Sequence, residues 1–134
     1  MSTHQEGAPH PADLNHLTDI LAIAQAQLPQ QATNITVTPA TKFAERYPGG
    51  WGYVIAFTTP PNQLRTYVDK HTIASGNLLE EYDSSSRNLS NDSTDLADIQ
   101  NPVLLALSTP PANAELILER PLGRGWLLIR GAPR

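Results

Sequence analysis

Serines, carboxylates and histidines are the side chains with which this chain could do catalysis, and their spacing does not assemble a working device. Nucleophilic hydrolysis needs a serine activated by a base, beside an oxyanion hole, and its usual trace is a glycine-x-serine-x-glycine elbow. No such elbow occurs; Ser84, Ser85, Ser86, Ser90 and Ser93 gather instead in one polar run. Asp92, Asp95 and Asp98 lie three apart, without the alternating carboxylates, intervening glycine and closing glutamate of a calcium loop. Gly49-Gly50-Trp51-Gly52 lacks the spacing of a phosphate-cradling loop, and no glycine-lysine-serine or glycine-lysine-threonine triplet is present. Glu80 and Glu81 are adjacent and read as a solvated pair. At the amino terminus, removal of Met1 would leave Ser2-Thr3-His4, whose amine, amides and imidazole suit Cu(II) or Ni(II), although any tail can carry such a triplet by chance. His71 falls on the inner stripe of a helix and reads as a core histidine. No catalytic residue, metal or cofactor is therefore expected.

Aromatic rings offer the better candidate. Tyr47, Trp51, Tyr53 and Phe57 lie in or beside a glycine-rich turn and the strand after it, and Trp126 follows Arg124-Gly125. Large amphipathic rings at strand ends either pack the core or line a groove. In the second case the site consists of Arg46, Tyr47, Trp51, Tyr53, Arg120, Arg124 and Trp126, and the chain is a non-catalytic binding or protein-interaction domain. Its partner would be a protein, a small anionic ligand or a second copy of the chain. Two alternatives stay open: an immunity- or antitoxin-like partner protein, suggested by small size and acidity, and a small enzyme with His71 or a carboxylate in a deep pocket.

Composition narrows the rest. A chain of 134 residues fits one domain, which removes roughly two-thirds of its unfolded surface from water. Cysteine is absent, which excludes disulfides, thiolate metal sites and cysteine nucleophiles together. A net charge of -4, with no arginine and aromatic stripe, argues against nucleic acid. The charge is uneven: Glu80, Glu81, Asp83, Asp92, Asp95 and Asp98 stand against Arg87, whereas Arg120, Arg124, Arg130 and Arg134 close the chain without an acid. No apolar run approaches the ~20 residues of a membrane helix. Residues Met1 to Ala12 lack the basic and apolar regions of a signal peptide. The chain as it stands reads as soluble and cytoplasmic, or as exported if it is a mature fragment.

The elements that would position these residues follow from periodicity. Residues 1–10 read as a flexible tail and 11–134 as a single domain. Pro11, Asp13 and the recurrence of Leu14, Leu17, Leu21, Ala24 and Leu28 predict an amphipathic helix over 11–28, with Asn15, His16, Asp19 and Gln25 outward. Thr33 to Thr38 alternates, with Ile35 and Val37 inward, and reads as a half-buried strand. Residues 42–50 read as a loop. Trp51 to Thr58 is apolar on both faces, which suits an interior strand. Thr59-Pro60 resembles a helix cap and first-turn proline, before a stripe of Leu64, Tyr67, Val68 and His71 that should end near 72–76. A short helical piece is expected over 77–82 and a mobile acidic loop over 83–95. The runs 103–107, 114–119 and 126–130, divided by proline- and glycine-rich breaks, read as an antiparallel meander, with strand preferred over helix for the first. Ala56 to Pro61 and Ala106 to Pro111 are alike, which reads as shared turn chemistry rather than a repeat. The fold class expected is α+β: about five strands, mainly antiparallel, with two amphipathic helices packed on one face.

Leu28-Pro29, Ala32, the run Gly50-Trp51-Gly52-Tyr53-Val54-Ile55-Ala56-Phe57-Thr58-Thr59-Pro60, Leu64 and Tyr67-Val68 resemble a pattern found in small actinobacterial exported or lipoprotein-like domains of unknown function. The resemblance covers residues 28–68. It implies a strand feeding a helix through Phe-Thr-x-Pro, and it brings no catalytic residues with it.

Overall fold

A computed structural model of the chain describes residues 10–23, 26–39, 51–72, 76, 103–106, 114–119 and 122–131. The first element begins later than its hydrophobic spacing predicts. Asp13 is the N-cap, its carboxylate accepting from the His16 backbone N–H at 3.1 Å, so Pro11 and Ala12 precede the helix. A 3-10 turn, Leu14–His16, then leads into α1, Leu17–Ile23. Three residues per turn instead of 3.6 rotates Leu14 off the inner stripe; it is 55% exposed, and Ile20 is fully buried on α1. The predicted continuation to residue 28 is not seen over 26–28, which are irregular. An Ala26 N–H to Leu21 carbonyl bond of 3.0 Å follows the last turn, and the residue before Pro29 disfavours the helical region.

β1 is Thr33–Pro39 and pairs antiparallel with β2, Trp51–Thr58. Thr33 faces Thr58 and Thr36 faces Ala56, so Asn34 and Ile35 together oppose Phe57. This bulge rests on Asn34 at φ 52, a left-handed conformation that asparagine accepts more readily than most residues. It keeps both Ile35 and Val37 against the core, while Thr36 and Thr38 are exposed. A bulge and a proline on an edge strand also discourage pairing with another chain.

Thr59 does not cap the next helix. Pro60 occupies the N-cap position without a side-chain cap bond, and α2 runs Pro61–His71. It closes where the Thr72 N–H and Oγ1 both donate to the Val68 carbonyl, at 3.1 and 2.8 Å.

The meander is present. β3, Val103–Ala106, pairs with β4, Ala114–Leu118, and β4 with β5, Arg124–Gly131, all antiparallel. β5 starts two residues before its expected bound because Arg124 still pairs with Thr58. Hydrogen-bonded neighbours run β1-β2-β5-β4-β3. The fold is thus α+β with an antiparallel sheet. The expected pieces at 42–50, 77–82 and 83–95 lie outside the described residues.

The inner strands β2, β4 and β5 are buried on both faces. Tyr53, Ile55, Phe57, Leu116, Leu118, Leu127 and Ile129 share one cluster with Ile20 of α1 and Leu64, Tyr67 and Val68 of α2. Val54, Ile117, Trp126 and Leu128 are buried as well and, by the period of two along a strand, point to the opposite face. Gly125 lets the first face close. A Cβ there would sit 2.7 Å from the Phe57 ring and 2.8 Å from Leu118.

Candidate functional site

The structure does not bring the two tryptophans together. β2 and β5 are antiparallel, so Trp51 pairs with Gly131, whereas Trp126 pairs with Ala56, five positions away along β2. At about 3.4 Å per residue this is a separation of roughly 17 Å, and the odd offset puts the rings on opposite faces. Trp51 is half-buried against the core cluster, 5.7 Å from the Tyr53 ring. Tyr53 is fully buried, and its hydroxyl donates to the His10 carbonyl at 2.6 Å and accepts the His10 N–H at 3.0 Å. Burial holds that phenol's pKa above its usual value. Tyr53 therefore anchors the segment that enters α1.

Trp126 is 7% exposed, with the Arg124 guanidinium 5.2 Å from its ring centroid. The same guanidinium donates to both Glu119 carboxylate oxygens at 2.7 Å, a two-pronged pair across the start of β5. Arg46, Tyr47 and Arg120 lie outside the described residues, as does the proposed tail ligand His4.

A cleft of about 320 Å³ lies elsewhere, between α2 and the irregular segment before β1. Its volume falls at the small end of ligand pockets, ≈ 300–1,000 Å³. One wall is Gln27, Leu28, Pro29 and Gln30. This wall has no helix or strand to hold it, and two side chains from distant positions do so instead. The Tyr67 hydroxyl donates to the Gln27 carbonyl at 2.6 Å, and Thr59 Oγ1 donates to the Gln30 carbonyl at 2.7 Å. Both ends are thereby fixed, and Pro29 between them is buried. Gln31 follows at φ 62, a left-handed residue without glycine's freedom, where the chain turns from the wall into β1.

The facing wall is Gln63, Thr66, Tyr67, Lys70 and His71. Steps of three and four place these on one side of α2, beside the apolar stripe of Leu64 and Val68. Tyr67 belongs to both stripes: its ring is in the core and its oxygen reaches the wall.

The electrostatics of the cleft are one-sided. Among the described residues that line it, none carries a carboxylate. The nearest acid in sequence, Asp69, accepts from the Gly76 N–H at 2.8 Å. Gly76 also accepts Arg65 Nη1 at 2.7 Å and lies so close to α2 that a Cβ would be 2.2 Å from the Arg65 carbonyl oxygen. Lys70 is exposed at the cleft and makes no ion pair among the described residues. His71 is half-buried rather than a core residue, with its ring 4.4 Å from that of Tyr67. Burial lowers its pKa, and the charge of Lys70 lowers it further. Burial pushes the Tyr67 phenol up to about 12.

A second polar group stands where α1 begins. His16 Nδ1 is 2.6 Å from Asp13 Oδ1, and the rings of His10 and His16 are stacked at 5.9 Å. The bond to His16 lowers the Asp13 pKa. Among the described residues no group of three histidines, cysteines or acids could hold a metal ion. The His16–Asp13 contact reinforces the cap.

No family model, curated protein or solved structure matches this chain. The cleft must be judged on its own chemistry. Of its residues, the sequence points to Tyr67 and His71, as members of an inner stripe. Gln63, Thr66 and Lys70 form a second, polar stripe at the same spacing, a signal present in the sequence. Gln27 and Gln30 carry no local signal, because their position depends on two bonds spanning 40 and 29 residues.

Proposed function

We propose that this chain is a non-catalytic binding domain and that its site is the cleft between α2 and Gln27–Gln30. One observation carries the reading: a polar helix stripe faces an irregular wall whose two outer carbonyls are fastened from elsewhere in the fold. Binding residues are commonly carried on irregular segments positioned by a rigid scaffold. The architecture behind the site is taken as about five strands with both helices packed on one face, supported by the single cluster that unites Ile20, Leu64 and Val68 with the helix-side residues of β2, β4 and β5.

The non-catalytic part of the proposal is supported by how the titratable groups are engaged. Tyr67 donates its proton to a backbone carbonyl, and His71 lies against the Tyr67 ring. The test is a titration of the labelled protein with small molecules sorted by charge, followed by amide chemical shifts. Shifts concentrated at residues 27–31 and 63–71 are expected. Ligands that shift only residues around Arg124 and Trp126 would move the site back to the arginine and tryptophan end of β5.

A further inference from the structure

The chemistry lining the cleft specifies what it takes, and this step rests on the cleft being the binding site. We infer that it binds small organic carboxylates that also carry an amide group, with the carboxylate against Lys70 and the amide among Gln27, Gln30 and Gln63. Charge selects the first half of the ligand. Lys70 is a cation, the described residues of the lining carry no carboxylate, and Asp69 is turned to the Gly76 N–H instead of compensating it. A single ammonium matches a singly charged ligand. Phosphate, at nearly two charges, is better met by the rigid fork of an arginine, and among the described residues no arginine lines this cleft.

The carboxamides select the second half. Each glutamine side chain both donates and accepts, so three of them around one opening complement a group that does the same, which an amide does and an ester or ether does not. Size agrees as well: about 320 Å³ falls at the small end of ligand pockets, ≈ 300–1,000 Å³. That is room for an acylated amino acid or the last residue of a peptide. The chain's own carbonyls at Gln27 and Gln30 are already accepting from Tyr67 and Thr59, so recognition falls to side chains.

The experiment compares N-acetylglycine with N-acetylglycinamide, acetate and inorganic phosphate, by amide shifts in the intact chain and in Lys70→Met and Lys70→Arg variants. Lys70 is exposed, so neither variant should unfold the domain. N-acetylglycine should shift residues 27–31 and 63–71. The neutral amide and Lys70→Met should each weaken that response about tenfold or more, as expected for losing a charge-assisted hydrogen bond, and Lys70→Arg should restore most of it. Equal binding of the acid and its neutral amide at those residues overturns the carboxylate assignment while leaving the cleft as the site. Acetate or phosphate binding as tightly as N-acetylglycine overturns the amide assignment. Absence of any shift there with all four probes overturns this inference, and the charge-sorted titration then decides separately whether the cleft binds anything.

Discussion

Tyr67 links core to cleft through one oxygen. Its ring packs with Leu64 and Val68, and its hydroxyl holds the Gln27 carbonyl at 2.6 Å. Tyr67→Phe keeps the ring and removes the tie. The expected loss in stability is about 1 kcal/mol, the usual net value of one hydrogen bond. Ligand response at residues 27–31 should fall far more than that at 63–71, because only the irregular wall is released. Alkaline unfolding tests the same residue. The phenol is raised from 10.0 to about 12 by burial, so between those values the unfolded chain has lost a proton that the folded chain keeps. Stability is then fully present below pH 10 and declines as pH rises towards 12. At about 1.4 kcal/mol per unit, two units give an upper value of about 3 kcal/mol. Tyr53, also raised, adds to the decline in both proteins, so the measurement is the difference between wild-type and Tyr67→Phe denaturant curves across that range. Parallel pH profiles would remove Tyr67 from the account.

At the scale of elements, α2 is positioned from outside as well as from the core. Gly76 lies against the Arg65 backbone and binds Asp69 and Arg65 through its own N–H and carbonyl. In Gly76→Ala the new methyl would meet Arg65 backbone, which cannot move aside as a side-chain tip can. A loss of about 1–3 kcal/mol is expected, read as a lower midpoint in urea, with weaker amide-exchange protection in the last two turns of α2. The elements themselves are largely legible in the sequence. Alternation in Thr33–Thr38 and two-sided apolarity in Trp51–Thr58 are direct consequences of one buried face or two, and proline-rich breaks separate the three strands of the meander. The start of α1 is less legible, because Asp13 and Pro11 both qualify as initiating residues and the choice turns on which backbone N–H the carboxylate reaches. For the site, the sequence draws attention to strand-starting tryptophans. Antiparallel pairing of β2 with β5 sends such residues to opposite ends of the sheet, a fact that depends on register and not on either ring.

For the whole molecule, a sheet whose inner strands are buried on both faces separates stability from the site. Leu116 and Ile117 are neighbours on β4, and both are fully buried. Leu116 pairs with Leu127 in the cluster that carries α1 and α2; Ile117 pairs with Trp126 on the opposite face. Truncating either leaves a cavity, and each of Leu116→Ala and Ile117→Ala should cost about 2–5 kcal/mol. The two losses should differ in what they do to the cleft. A cavity in the cluster that Leu116 shares with Leu64 and Val68 should let α2 settle and shift Gln63, Thr66 and Lys70 relative to the fastened wall, so Leu116→Ala should weaken ligand response at residues 63–71. Ile117→Ala, matched in stability by temperature or osmolyte, should retain it. If both variants lose binding in proportion to stability, the cleft depends on the fold as a whole and not on the helix-side core. If only Ile117→Ala loses it, the site belongs to the face of Trp126.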